Sequence, residues 1–304
     1  MKNNYFSGTY HNSNDLKTTL KFIASFKQQL KDALIHEFNL LEVDTPKICK
    51  FKENISTRLI NFDNKQLEEV YQVIVFPCEY LNDLWKRIGF DNTSGLLSTY
   101  TQYDRDGILN NTKFIYKNVI DIRYQLSKLE INDFNTLIQN FMNQTIELIR
   151  KVVENIKKQL NVSINEQLFE IKPKIINMNN FFKTYQTLKI DDFIQEHTYE
   201  SRSVLFTNIN FLNSVHIDAI SDCDSDTNNF QWLWFNKYSD QIVNLLKFAL
   251  SSEENKDITY LHVSFNIEQL ILVLLKKSNI AEVLPGAWNE DFKKEVEKKK
   301  VEII

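Results

Sequence analysis

The chain has 304 residues, of which 43% are hydrophobic and 25% charged, a globular composition that excludes a disordered or collagen-like chain. Its 36 Lys and Arg against 40 Asp and Glu leave a net charge of -4, too little positive charge to wrap nucleic acid or an anionic membrane. Only 5 glycines occur, at Gly8, Gly89, Gly95, Gly107 and Gly286, so neither a P-loop nor a Rossmann turn can be assembled.

In chain order, Asp15 is placed to cap a helix running to Phe38, because Leu16, Leu20, Ile23, Phe26, Leu30 and Leu34 recur at three- and four-residue spacing. Leu40 to Val43 reads as a strand stopped near Pro46, and Arg58 to Phe62 and Val70 to Phe76 are further β-rich runs. Pro77 opens a helix to Arg87. Strands follow at Ser98 to Tyr103 and Phe114 to Ile122, joined by a turn-rich hairpin from Asp104 to Thr112. Asn132 to Leu160 repeats apolar residues at helical spacing over roughly 40 Å.

Beyond it the pattern predicts short helices in Met178 to Glu196 and strands at Val204 to Thr207, Ser214 to Ile220 and Gln231 to Phe235. A helix is expected from Ser239 to Leu250, then a strand from Tyr260 to Phe265, a helix from Ile267 to Lys276 and a solvated, charged helix from Glu290 to Lys300. Neighbouring strands with helices set apart from them predict an α+β domain with a mostly antiparallel sheet flanked by helices. No linker, repeat or low-complexity block divides the chain, so one domain is expected over residues 1–304.

Other patterns narrow the chemistry. Cys49, Cys78 and Cys223 form no C-x-x-C pair, which argues against a disulfide scaffold and for a reducing, cytoplasmic setting. No run of about 18 apolar residues occurs, and the first residues lack a signal-peptide core. Asp222, Asp224 and Asp226 alternate like the opening of an EF-hand, but Thr227 and Leu233 stand where that loop needs glycine and glutamate. Trp232, Trp234 and Phe235 could offer a stacking platform, though a strand bearing them would pack them in the core.

Several segments, in order, resemble the asparagine synthetase A family of aspartate–ammonia ligases, whose fold is that of the class II aminoacyl-tRNA synthetase catalytic domain. Asn279 to Trp288 resembles the family's H-I-G-Q-V-Q-A-G-V-W, and Leu40 to Pro46 resembles L-I-E-V-Q-A-P. Glu53 to Ser56 is similar to D-N-L-S, Trp85-Lys86-Arg87 to W-K-R, Gly95-Leu96-Leu97 to G-L-Y, and His216 to Asp224 to H-D-V-R-A-P-D-Y-D.

The resemblance implies a class II synthetase-like fold and ATP-dependent conversion of aspartate and ammonia to asparagine through an aspartyl-adenylate, with Mg²⁺ and a homodimer paired through the first long helix. It implies Arg105 as the hairpin arginine that holds the α-phosphate and acyl group, with Asp224, Asp121 and Glu53 as substrate-binding carboxylates. Asp224 falls where the family holds the substrate's α-amine, while Val119, beside Asp121, replaces a glutamine.

The chain also departs from the family where charge should be neutralised. Val263 to Leu270 matches G-G-G-I-G-Q-S-R without its glycines or arginine, and Val243 to Phe248 matches E-L-S-S-M-G without its glutamate. The alternative expectation is therefore a pseudoenzyme, which keeps the fold as a binding or interaction module without catalysis.

Overall fold

The computed structural model describes residues 14–50, 61–64, 69–73, 78–88, 95–103, 112–114, 116–126, 134–178, 190–207, 229–252, 259–286, 293–294, 298 and 302–304. Helix α1 (Leu16–Phe38) starts where the Asp15 carboxylate accepts the Thr18 N–H at 2.6 Å, and that bond holds the carboxyl below its usual range. The helix ends at Asn39, whose φ of 49° is a left-handed cap that asparagine tolerates.

The first strands are β1 (Leu40–Glu42), β2 (Ile48–Lys50), β3 (Asn61–Asn64) and β4 (Glu69–Val73), followed by α2 (Cys78–Ile88), β5 (Gly95–Tyr103) and β6 (Tyr116–Leu126). Helix α3 (Phe134–Gln159), the short α4 (Gln167–Glu170), β7 (Lys174–Asn177), α5 (Ile190–Ser201) and β8 (Ser203–Thr207) come next. Then come β9 (Asn229–Asn236), β10 (Gln241–Ser252), β11 (Thr259–Asn266), α6 (Ile267–Leu274) and a 3₁₀ turn at Ile280–Glu282.

Eight strands form one sheet in the order β1-β5-β6-β11-β10-β9-β8-β7, and β2-β4-β3 form a separate small sheet. Only β1 with β5 and β7 with β8 pair in parallel within the large sheet. The five remaining pairings are antiparallel, which is the expected α+β layout.

Alternation along the strands sorts the large sheet into two faces. Leu97, Ile120, Ile122, Leu261, Val263, Phe265, Phe248, Trp232 and Trp234 pack toward α1, α3 and α6 in one apolar core. Helix α1 contributes Phe22, Phe26, Leu30 and Leu34, each fully buried, and each is worth about 1.5–3 kcal/mol of apolar burial. The opposite face is covered by two smaller clusters. Leu81 and Trp85 of α2 lie on Leu96 and Tyr260, and Phe193 and Ile194 of α5 lie on Val204, Phe206, Leu233 and Ile242.

The helix expected from Ser239 to Leu250 is a strand, β10. Its register against β9 slips between Asn244 and Leu246, so Val243, Leu245, Leu246 and Phe248 all join the same core. That bulge breaks the period of two and leaves a spacing that imitates a helix. Strand β7, inside no expected element, lies at the sheet's edge as four half-buried or exposed residues, too little apolar alternation to announce a strand. The strand expected at Ser214 to Ile220 lies outside the described residues.

Candidate functional site

Between the patches covered by α2 and α5, the second face of the sheet turns polar. Ser98 on β5 stands opposite Asp121 on β6, Asp121 opposite Ser264 on β11, Ser264 opposite Lys247 on β10, and Lys247 opposite Gln231 on β9. This row crosses five neighbouring strands, spanning roughly 19 Å at about 4.8 Å per strand. Arg123 and His262 form the next pair along β6 and β11 on the same face.

Asp121 is the centre of the arrangement. Its side chain is wholly buried, while that of His262 is 13% exposed and reaches the protein surface. Asp121 Oδ1 accepts the Ser264 hydroxyl at 2.7 Å and also faces His262 Nε2. A carboxylate can only accept, so Nε2 carries the ring proton and donates it. Ser264 Oγ lies 3.4 Å from the same nitrogen, which is already a donor and cannot draw the serine's proton. The three residue types match those of a hydrolase triad but not its roles, since a triad engages both ring nitrogens, one for serine and one for aspartate.

A second polar group lies beside the first. Asn244 Nδ2 donates to Gln231 Oε1, and Gln269 Oε1 accepts the Asn244 N–H at 2.9 Å. Asn266 Nδ2 donates to the Asn244 carbonyl at 2.6 Å. Every side chain in this group is an amide, so the group is electrically neutral. Asn244 lies in the segment, residues 243–248, that the sequence resemblance matches to a metal-binding motif. Val243, at the matched position, is fully buried in the apolar core. Among the described residues, no three His, Cys, Asp or Glu side chains gather to hold a metal ion. The four amides of this group offer Mg²⁺ none of the carboxylates that would offset its charge.

The segment matched to the glycine-rich motif turns from β11 straight into α6. Leu270, at the arginine's matched position, is fully buried in the core. Glu268 in the first turn of α6 accepts Lys27 Nζ at 3.0 Å, the Asn118 N–H at 2.9 Å and Asn118 Nδ2 at 2.7 Å. It thus ties α6 to α1 and β6 on the core side. Tyr116 nearby donates its hydroxyl to the Pro285 carbonyl, and burial, aided by the Glu268 charge, pushes its pKa up.

Of the four site residues expected from sequence, Asp121 lies on the polar face, and Arg105, Asp224 and Glu53 lie outside the described residues. Ser98, His262 and Ser264 were missed. Alternation alone gives them no signal, because a polar residue within a strand looks the same whether it faces water or a buried carboxylate. Trp232 and Trp234 are core residues, with Trp232 Nε1 donating to Ser203 Oγ at 2.9 Å.

No protein-family model matches the chain, and no curated protein matches it in sequence. Its likeness is to solved structures. Asparaginyl-tRNA synthetase from Pyrococcus horikoshii, complexed with asparaginyl-adenylate, superposes with a TM-score of 0.61 at 10% identity, over 88% of this chain and 68% of that one. The chain has the class II aminoacyl-tRNA synthetase fold. Entamoeba histolytica asparaginyl-tRNA synthetase in complex with asparaginyl-adenylate gives a TM-score of 0.60 at 9% identity, over 88% of this chain and 66% of that one. The chain thus spans about two thirds of the length of these structures. Identity this low carries the fold and nothing finer. Among the described residues, no helix is long and apolar enough to cross a membrane.

Proposed function

We propose that this chain is a divergent adenylate-forming ligase of the asparagine synthetase A type, acting on aspartate, ammonia and ATP in the cytoplasm. The observation that carries the reading is Asp121. It is a buried carboxylate on the polar face of a class II synthetase-like sheet, at a position that the resemblance matches to a family aspartate.

In the proposed reaction, an oxygen of the substrate's side-chain carboxylate attacks the α-phosphorus of ATP and pyrophosphate leaves. Ammonia then attacks the acyl carbon and AMP leaves, while the ammonia nitrogen gives up a proton. Arg105 would lie against the α-phosphate and acyl group, with Asp224, Asp121 and Glu53 around the amino acid. Val243 and Asn244, in the segment that the resemblance matches to the family's metal motif, and Gln231 beside them offer no carboxylate to Mg²⁺. The resemblance further supports a homodimer through α1, to be checked by sedimentation.

One observation favours a second reading, a non-catalytic pseudoenzyme. Leu270, Val243, Leu245 and Leu246 are fully buried in the core where charge-handling residues would be needed. A triphosphate left without such partners is costly to hold.

Calorimetry of ATP binding, with and without Mg²⁺ and aspartate, followed by a pyrophosphate-release assay with ammonia, separates the two readings. Pyrophosphate release that depends on aspartate and falls by about 100-fold or more in Arg105→Ala supports the ligase. A folded protein that binds no ATP at millimolar concentration, and whose biological role survives Arg105→Ala, is the pseudoenzyme.

A further inference from the structure

At the end of the helix layer, three stretches of chain meet around one buried lysine. Lys277 Nζ, on a side chain 2% exposed, donates to the Asn14 carbonyl at 3.3 Å and lies 3.4 Å from Oε2 of the wholly buried Glu282. Asn14, just ahead of α1, in turn holds the chain that follows α3. Its Nδ2 donates to the Ser163 carbonyl at 2.9 Å, and its Oδ1 accepts the Ser163 N–H at 2.8 Å.

Neither contact of the ammonium is a close one. A charge-assisted N–H···O bond measures about 2.7–2.9 Å, so Nζ stands between two acceptors and is committed to neither. The Glu282 carboxyl is unevenly served. Oε1 accepts from the Ser278 N–H, the Ser278 hydroxyl and the Asn279 N–H, whereas Oε2 is buried with no hydrogen bond. The charge on Glu282 therefore decides which acceptor holds Nζ. A neutral carboxyl leaves the Asn14 carbonyl as the stronger acceptor, while a buried carboxylate with one unserved oxygen outcompetes it.

We infer that Lys277 and Glu282 form a pH-operated latch on the chain ahead of α1. With Glu282 protonated, Lys277 holds the Asn14 carbonyl; as the proton leaves, Nζ moves to Glu282 Oε2 and releases Asn14, and with it Ser163. Burial pushes the Glu282 carboxyl up from its usual value, and Lys277 is the charge among the described residues that opposes that rise. Charged groups on the surrounding elements are engaged elsewhere: Lys276 Nζ donates to Ser163 Oγ at 3.1 Å, Lys157 pairs with Glu166, and Asp15 accepts the Thr18 N–H. Glu302, near Ile304, whose N–H donates to the Ala281 carbonyl, is exposed. In the segment that resembles H-I-G-Q-V-Q-A-G-V-W, Glu282 stands at the first glutamine, so the ionisable group belongs to this chain. The latch requires neither ATP nor any other ligand and stands apart from the ligase reading.

The test is amide exchange of the full chain from about pH 4 to about pH 9, corrected for the intrinsic pH dependence of exchange. The Glu282 carboxyl carbon is followed by NMR over the same range. The Ser163 N–H reports on the latch, because its acceptor is Asn14 Oδ1, and the N–H groups of β11, in the middle of the large sheet, report on the whole fold. As pH rises, Ser163 protection is expected to fall at least about tenfold further than that of β11, with the midpoint of the Glu282 carbon. Above that midpoint, Ser163 exchange becomes indifferent to low urea while that of β11 keeps its urea dependence, the mark of a local opening.

Glu282→Gln, which cannot ionise, is expected to keep Ser163 protected across the whole range. A Ser163 step that persists in Glu282→Gln, a midpoint different from that of the Glu282 carbon, or an equal fall in Ser163 and β11 overturns the inference. So does Ser163 protection that is level with pH in the wild type. Should Glu282→Gln fail to fold, the wild-type series decides, because the local step, its midpoint and its indifference to urea are all read there.

Discussion

The two faces of the eight-stranded sheet are built from the same strands by different rules. On the helix side, β5, β6, β9, β10 and β11 present a continuous apolar surface that α1, α3 and α6 cover. On the other side, the same strands present serine, aspartate, arginine, histidine and amides, with apolar cover, among the described residues, toward α2 and α5. The first face is specified by volume and the second by pairing of donors and acceptors. Substitutions on the helix side should therefore cost stability, while those on the polar side should cost binding.

The largest effect is expected from Phe265→Ala on β11. Phe265 is fully buried in the main core, and truncating such a ring costs about 3–5 kcal/mol through lost burial and the cavity left behind. Urea unfolding measures it. A loss below about 1 kcal/mol would show that the helix face repacks freely and would end the contrast between the two faces.

Next is the one buried charge pair among the described residues of the helix side's C-terminal end. Lys277 Nζ lies 3.4 Å from Glu282 Oε2. Glu282 Oε1 accepts from the Ser278 N–H at 3.0 Å, the Ser278 hydroxyl at 3.2 Å and the Asn279 N–H at 3.1 Å. Lys277 Nζ also donates to the Asn14 carbonyl at 3.3 Å, pinning the chain just before α1. Glu282→Ala leaves Lys277 buried without its carboxylate and should cost about 3 kcal/mol.

Burial outweighs the Lys277 charge and pushes the Glu282 carboxyl up from its usual value. The folded chain thus holds this proton more tightly than the unfolded chain does. The stability it contributes is present below the usual glutamate range and is lost as pH rises through the raised value. Unfolding over a series of pH values should show that slope in the wild type and not in Glu282→Gln. An equal slope in both would locate the proton elsewhere.

How far sequence foretold each face follows from the same physics. Helices α1 and α3, with one apolar stripe each, were legible because a single period describes them. Strand β10 was read as a helix because its bulge at Asn244/Leu246 shifts the alternation midway. Asp121 was found by resemblance, not by pattern. Ser98, Ser264 and His262 were not found, because a lone polar residue in a strand looks the same whether it faces water or a buried carboxylate. Only register distinguishes the two, and register is a property of the partner strand. The displacement of charge from the segments matched to phosphate and metal motifs was legible, since Leu270 and Val243 for arginine and glutamate cannot be repaired by geometry.

A middling effect is expected at Gly95, where β5 begins. A Cβ there would come within 2.6 Å of both the Arg123 carbonyl oxygen and Leu40 Cδ2. The carbonyl belongs to a central strand and cannot retreat, so Gly95→Ala should cost about 1–3 kcal/mol by overpacking. Because β1 pairs with β5 through this residue, opposite Leu40, amide exchange should rise first in β1. Uniform exchange across β1 and β6 would mean that the sheet shifts as one body.

The smallest effect on stability, and the sharpest test of the contrast, is Ser98→Ala. Ser98 is as buried as the core residues beside it, yet its hydroxyl makes no hydrogen bond in the folded chain. Removing a buried hydroxyl without a partner relieves its desolvation cost and costs only slight packing, so the change should lie within about 1 kcal/mol of zero and can be stabilising. If urea unfolding instead showed a cost near that of Phe265→Ala, Ser98 would be a packing residue. The polar face would then be a second core with hydroxyls in it, not a surface held ready for a ligand.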